Sequence, residues 1–174
     1  MQNSSETSAS QRIDPIQFEV VRSALTQVAE EMAAALRRSA YSTNVKTRQD
    51  FSCAFFDRDC RPISQAFTQP VHLGSFVELI PTSVAQYGAK NLEPGDMLVV
   101  NNPFGGGSHL NDVTVFGPVH HNSELVGYVA SLAHHVDVGG GAPASIGPFQ
   151  EIFQEGVIIP PVKLVKHGEM NEDV

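Results

Sequence analysis

From Asp14 onward, apolar residues recur at intervals of three and four: Phe18, Val21, Leu25, Val28, Met32 and Leu36, with Glu30, Arg37 and Arg38 off that stripe. Such spacing puts the apolar side chains on one face of an α-helix. Asp14 suits its cap and Pro15 its first position, so the pattern predicts a long helix to about Ala40. Residues 1–13 are rich in Ser, Gln, Asn and Thr with almost nothing to bury, and are expected to form a disordered tail. After a polar segment from Tyr41 to Gln49, Phe51 to Asp57 alternates aromatic and small residues. Asp57-Arg58-Asp59 then supplies turn chemistry, which predicts a strand and a hairpin to Pro62–Ala66. Helical spacing returns in Leu73, Phe76, Val77, Leu79, Ile80 and Val84, with Pro81 expected to kink or divide that helix and Gly88 to stop it.

Beyond the turn at Glu93-Pro94-Gly95-Asp96 the pattern is one of short apolar runs. Met97 to Val100 reads as a strand, Val113 to Leu132 as a hairpin, and Val157–Ile159 and Val162–Val165 as short strands around Pro160-Pro161. A long glycine, alanine and proline loop spans Gly139 to Gly147, and no closing element is expected at Asn171–Val174. The fold class that follows is α+β: a long N-terminal helix packed on a mostly antiparallel sheet, with the hairpin central.

A length of 174 residues with 41% hydrophobic content suits one globular domain. The net charge of -8, with no basic cluster, excludes nucleic acid as a general partner. No apolar run approaches the ~20 residues of a membrane span and the N-terminus lacks a secretory pattern, so a cytoplasmic chain away from membranes is expected. Cys53 and Cys60 lack zinc or redox spacing and read as reduced thiols.

The residues able to do chemistry concentrate between Met97 and Gly141. The run Met97–Val100 leads into Gly105–Gly107, His109 and Asp112; the run Leu125–Leu132 leads into His134, His135, Asp137 and Gly139–Gly141. Imidazole nitrogen and carboxylate oxygen are ligands of divalent metals, so two such clusters joined by a hairpin form a candidate metal site. The plainer reading is a set of solvated loop groups. Successive strand residues face opposite ways, so only one of His134 and His135 joins His109 and Asp112, and parity alone does not choose. His72, ahead of an apolar helix, reads as a packed and hydrogen-bonded group. His120 and His121 fall at the hairpin turn and should be solvated, and His167 has no company. Neither glycine run carries a P-loop or Rossmann fingerprint, so nucleotide binding by this chain alone is not supported.

Asp50-Phe51-Ser52, Pro70-Val71-His72-Leu73-Gly74-Ser75, Asn101 to Asp112, and Ala133-His134-His135-Val136-Asp137-Val138-Gly139-Gly140 occur here in one order. On these blocks the sequence, from about Asp14 to its last residue, resembles the hydantoinase B family, which includes part of 5-oxoprolinase, an N-methylhydantoinase subunit and an acetone carboxylase subunit. Departures are Asn102 where the family commonly has Asp, Cys60 where a turn glycine is usual, and Ser108 and Asn111 where Thr and Pro are frequent.

The resemblance implies an ATP-dependent hydrolase of small cyclic amides, opening hydantoin or 5-oxoproline-like rings. It implies a divalent metal (Zn, Mn or Fe) on His109, Asp112 and His134, with Asp50 as fourth ligand. His135 and Asp137 become catalytic groups beside the metal or the substrate. The implied partner is a hydantoinase A-type subunit that binds ATP with Mg, in a hetero-oligomer. Acetone carboxylase-type carboxylation and an inactive assembly module are the alternatives. Family members extend well beyond Val174, so residues 14–174 are expected to be the N-terminal part of a hydantoinase B-like domain, with apolar surface uncovered and little turnover alone.

Overall fold

The computed structural model describes residues 14–174, so the expected tail, residues 1–13, lies outside the described residues. These fold into α1 (Pro15–Ser39), α2 (Thr43–Lys46), β1 (Phe51–Asp57), β2 (Pro62–Gln65), α3 (Pro70–Tyr87), β3 (Met97–Val100), β4 (Asp112–His121), β5 (Glu124–His134), β6 (Val162–Lys166) and β7 (Glu169–Met170). The strands form one antiparallel sheet in the order β2-β1-β5-β4-β3-β6-β7. The expected α+β class and the central hairpin are both observed.

Side chains alternate across each strand, and the two faces bury different sets. Ala54 and Phe56 of β1, Leu98 and Val100 of β3, Phe116 of β4 and Tyr128, Ala130 and Leu132 of β5 pack with Phe76, Leu79, Ile80 and Val84 of α3. Phe56 and Phe76 meet edge to face, ring centroids 6.0 Å apart. Phe51 and Cys53 point the other way and join Ala29, Ala33, Val45 and Ala66. The β4–β5 turn is Asn122-Ser123, both at positive φ (49° and 67°), as a tight two-residue hairpin requires.

Several local expectations are corrected. The apolar stripe of α1 is only partly used: Ala29 and Ala33 are buried beside half-buried Leu25, Met32 and Leu36, whereas Phe18 is 53% and Val21 57% exposed. Small alanines let the second half of the helix approach β1 and β2, where Ser64 Oγ donates to Leu25 O (2.9 Å) and Phe67 N–H to Glu30 Oε1 (2.8 Å). The segment Tyr41–Gln49 contains α2, which Ser42 caps and Val45 anchors. Pro81 does not break α3. The carbonyl deprived of its donor is that of Val77, whose side chain is 54% exposed, so it lies on the wet side of the helix.

Val157–Ile159 is not a strand; with Pro160 and Pro161 offering no N–H, its polar groups bond elsewhere, Val157 N–H to Val138 O at 2.9 Å. Before Asn171 the chain adds a two-residue strand, β7, paired with β6, and residues 171–174 carry no helix or strand.

The far side of the sheet is held by one buried carboxylate. Asp96 Oδ2 accepts from Lys163 Nζ of β6 (2.6 Å) and from Glu93 N–H (2.8 Å), and its Oδ1 from His167 N–H (3.0 Å). His167 also lies 3.4 Å from Glu93 Oε2, so it has the company its sequence context did not show. Burial pushes the Asp96 carboxyl up, but Lys163 and the two backbone donors outweigh it and hold the group below its usual range. Its stabilisation is therefore complete above the ordinary carboxylate value of about 3.9 and is lost as pH falls through the lower folded value. Asp96→Asn is expected to cost about 3 kcal/mol near neutral pH by stranding Lys163. Denaturant melts should show that gap closing below about pH 4, as the wild-type carboxyl is protonated.

Candidate metal centre

The ladder register brings three acidic and imidazole side chains into one row. Asp112 pairs directly with His134, and Phe51 with Ala133. His134 N–H donates to Asp50 O at 3.0 Å, so Asp50 continues the row from β5 onto the strand leading into β1. Strand parity puts Asp112 with Thr114 and Phe116, His134 with Leu132, and Asp50 with Ser52 and Ala54. The row thus lies at one end of the α3-facing side.

His109 enters from the loop between β3 and β4, and that loop is fixed at both ends. Buried Asn101 donates from Nδ2 to Leu110 O (2.8 Å) and Val157 O (2.9 Å) and accepts from Ile159 N–H (2.6 Å). The loop starts with a 3-10 turn, Pro103–Gly105, in which Asn102 Oδ1 accepts from Phe104 N–H (3.0 Å). Gly106 then takes φ 101°, and a Cβ there would stand 2.6 Å from Leu79 N of α3. Glycine lets the loop lie directly on the helix backbone.

Ligand atoms of His109, Asp112 and His134 lie within 4.8 Å of one another. His134 Nδ1 is 3.1 Å from His109 Nε2 and 3.2 Å from Asp112 Oδ1. Atoms each about 2.1 Å from a common cation are about 3.0 Å apart in an octahedral and about 3.4 Å in a tetrahedral arrangement, so the two separations at His134 Nδ1 are of the size a shared divalent cation sets. Asp112 is suited to the role because its second oxygen is already committed. Oδ2 accepts from Ser108 Oγ and stands 3.0 Å from His109 Nδ1. A hydrogen on Nδ1 would leave Nε2 of His109 free as a ligand atom, the carboxylate-to-imidazole arrangement common at metal sites.

Burial pushes the Asp112 carboxyl up, but His109 and Ser108 outweigh it and hold the group below its ordinary range. His109 is raised by its hydrogen bond to Asp112 against the effect of burial.

The remaining residues divide clearly. His72 is 3% exposed, with Nε2 3.5 Å from Asp50 Oδ1 and 3.7 Å from Asp112 Oδ2. It is packed and hydrogen-bonded, as its sequence context suggested, but it also borders the cluster. Burial pushes it down, towards the neutral imidazole. His135 lies just past β5, exposed, its backbone tied to Asn111. Asp137 is exposed and accepts from Gly139 N–H (2.8 Å). Among the described residues no hydrogen bond or ion pair joins either side chain to the cluster. His121 is exposed at the hairpin turn, and neighbouring His120 is half-buried with an unpartnered Nδ1.

Comparison with known proteins places this geometry in context. Residues 14–174 match the family model described as hydantoinase B/oxoprolinase. The chain belongs to the hydantoinase B/oxoprolinase family. It is 45% identical over 165 residues to an uncharacterised protein of Methanocaldococcus jannaschii, covering 93% of this chain and 29% of that one. It is 40% identical over 162 residues to the 5-oxoprolinase of Dictyostelium discoideum, covering 92% of this chain and 13% of that one. This hydantoinase B-type chain therefore spans less than a third of the length of these relatives.

Among solved structures it resembles ATP-dependent caprolactamase from Pseudomonas jessenii, with TM-score 0.76 and 36% identity over 92% of this chain and 28% of that one. Nucleotide-free acetone carboxylase shares the fold, with TM-score 0.84 at 20% identity over 92% of this chain and 22% of that one. Among the described residues no helix is long and apolar enough to cross a membrane.

Gly106→Ala tests how far α3 sets the ligand loop. A methyl at positive φ costs about 1 kcal/mol in backbone strain before any contact is counted. The clash with Leu79 should lift the loop, and hydrogen exchange across residues 102–110 should accelerate while the β4–β5 ladder stays protected.

Proposed function

We propose that residues 14–174 form the N-terminal, metal-bearing part of a hydantoinase B-like domain in an ATP-dependent enzyme that opens a small cyclic amide of the hydantoin, oxoproline or lactam kind. The observation that carries this reading is the convergence of His109, Asp112 and His134 at metal-ligand separations, with Asp50 in the same row. Two nitrogen and two carboxylate ligands suit Zn, Mn or Fe. A divalent cation held there supplies Lewis acidity for charge that develops on oxygen during ring opening. The ATP, with Mg, belongs to a hydantoinase A-type partner in a cytoplasmic hetero-oligomer.

Within this chain, Asp112 and His109 hold each other in place through Oδ2 and Nδ1, and Ser108 fixes the same oxygen. His135 and Asp137, exposed just past the last ligand, suit contacts with substrate better than contacts with the metal. Carboxylation makes the same demand for metal and ATP. Hydrolysis leads because the relatives above 30% identity include a 5-oxoprolinase and a caprolactamase, whereas acetone carboxylase is alike in fold.

Co-expression with a hydantoinase A-type subunit tests the proposal. ADP release should follow addition of 5-oxoproline, a hydantoin or caprolactam, with ring-opened acid formed in step. Asp112→Asn and His134→Ala should each reduce bound metal from about one equivalent to a small fraction and abolish turnover. ADP release with acetone and bicarbonate alone would establish carboxylation instead. Assembly without metal or ATP use would identify an assembly module.

A further inference from the structure

We infer that His72 is a positioning residue for the metal centre: its Nε2–H bridges the carboxylates of Asp50 and Asp112 and holds both facing the cation. This rests on the metal-centre reading. The ring sits in the first turn of α3 (Pro70–Tyr87), directly over the ligand row. Nδ1 faces Ser52 Oγ at 3.3 Å. Nε2 faces Asp50 Oδ1 at 3.5 Å and Asp112 Oδ2 at 3.7 Å, nearly equidistant from two acids on different strands.

The hydrogen position follows from charge. A lone pair on Nε2 would face two carboxylates, whereas a hydrogen there is attracted to both, so the favoured tautomer has Nε2–H with Nδ1 accepting from Ser52. Ser52 Oγ accepts from Thr68 Oγ1 (3.0 Å), and its single hydroxyl hydrogen is shared between Gln69 O (3.1 Å) and His72 Nδ1, so the charge of the two carboxylates, rather than Ser52, sets the tautomer while Ser52 keeps the ring in place.

Asp50 depends on this donor most. Among the described residues its carboxylate has no hydrogen bond and one ion-pair partner, His72, and its side chain is 31% exposed. Asp112 is anchored by Ser108 and His109; without His72, Asp50 is free to turn to solvent, away from a second negative charge. Because His72 is buried, water does not readily replace its hydrogen.

The test measures zinc affinity by chelator competition and counts imidazole ligands by X-ray absorption, both independent of turnover. His72→Leu removes the donor and should weaken zinc binding about 10- to 100-fold, the range for losing a group that orients a ligand. His72→Gln places an amide N–H near the Nε2 position and should recover affinity to within about threefold, as expected if an N–H dipole aimed at the two carboxylates is the function. Circular dichroism should show all variants folded; if His72→Leu is not, Ser52→Ala, which frees the ring, should still weaken zinc binding about threefold or more. The imidazole count should stay at two in wild type and variants. Unchanged affinity in folded His72→Leu, or in Ser52→Ala when His72→Leu fails to fold, would overturn the inference. So would three imidazoles falling to two in His72→Leu, which would make His72 a ligand. Wild-type protein that takes up no zinc would overturn the centre itself, a result read before any substitution is made.

Discussion

The register between β4 and β5 is the constraint on which the candidate centre depends. Side chains alternate with period two, so a slip of one residue would exchange the buried and outward faces of β5 together. The tight turn at Asn122-Ser123 starts the pairing, with His121 opposite Glu124. Between Val119 and His120 the register shifts, giving β5 one extra residue, Val126. From there Asp112 meets His134. Counting from the turn without that bulge would put Ala133 opposite Asp112 and His135 on the ligand face. One unpaired residue near the hairpin tip thus selects the histidine at the strand's other end.

This explains how much was legible in the sequence. The long helix, the hairpin, the strand entering at Phe51 and the α+β class followed from periodicity and turn chemistry, because each is written in local spacing. His109 and Asp112 stood out because they sit a helical turn apart beside glycines. The choice between His134 and His135 was not legible from parity, because a bulge at an ordinary valine carries no composition signal; the family resemblance pointed to His134. His72 was read as a packed side chain because its acidic neighbours come from other strands. The partial use of the α1 stripe was equally hidden: Phe18 and Ala29 look unequal in hydrophobicity, but a close helix-on-sheet contact selects small residues.

Helix α3 does more than cover the sheet. Its inner face fills the core with Phe76, Leu79 and Ile80, its backbone at Leu79 supports Gly106, and its first turn carries His72. One rigid element therefore sets the core, the ligand loop and the group beside the acids. Movement of α3 relative to the sheet would disturb all three together. Continuity of this helix through Pro81 is thus part of what keeps the cluster in place.

The clustered groups and their neighbour Asp50 come from three separated segments: Asp50 before β1, His109 and Asp112 at the entry to β4, and His134 closing β5. None of the contacts between strands exists until the hairpin has paired and β1 has docked beside it. A nascent chain has no preformed chelate to offer, only scattered weak ligands. Cation capture would accordingly be a late event, after synthesis has passed β5 and the sheet has closed around Asp112. The identity of the ion acquired would then depend on which metals the compartment supplies to an already folded protein.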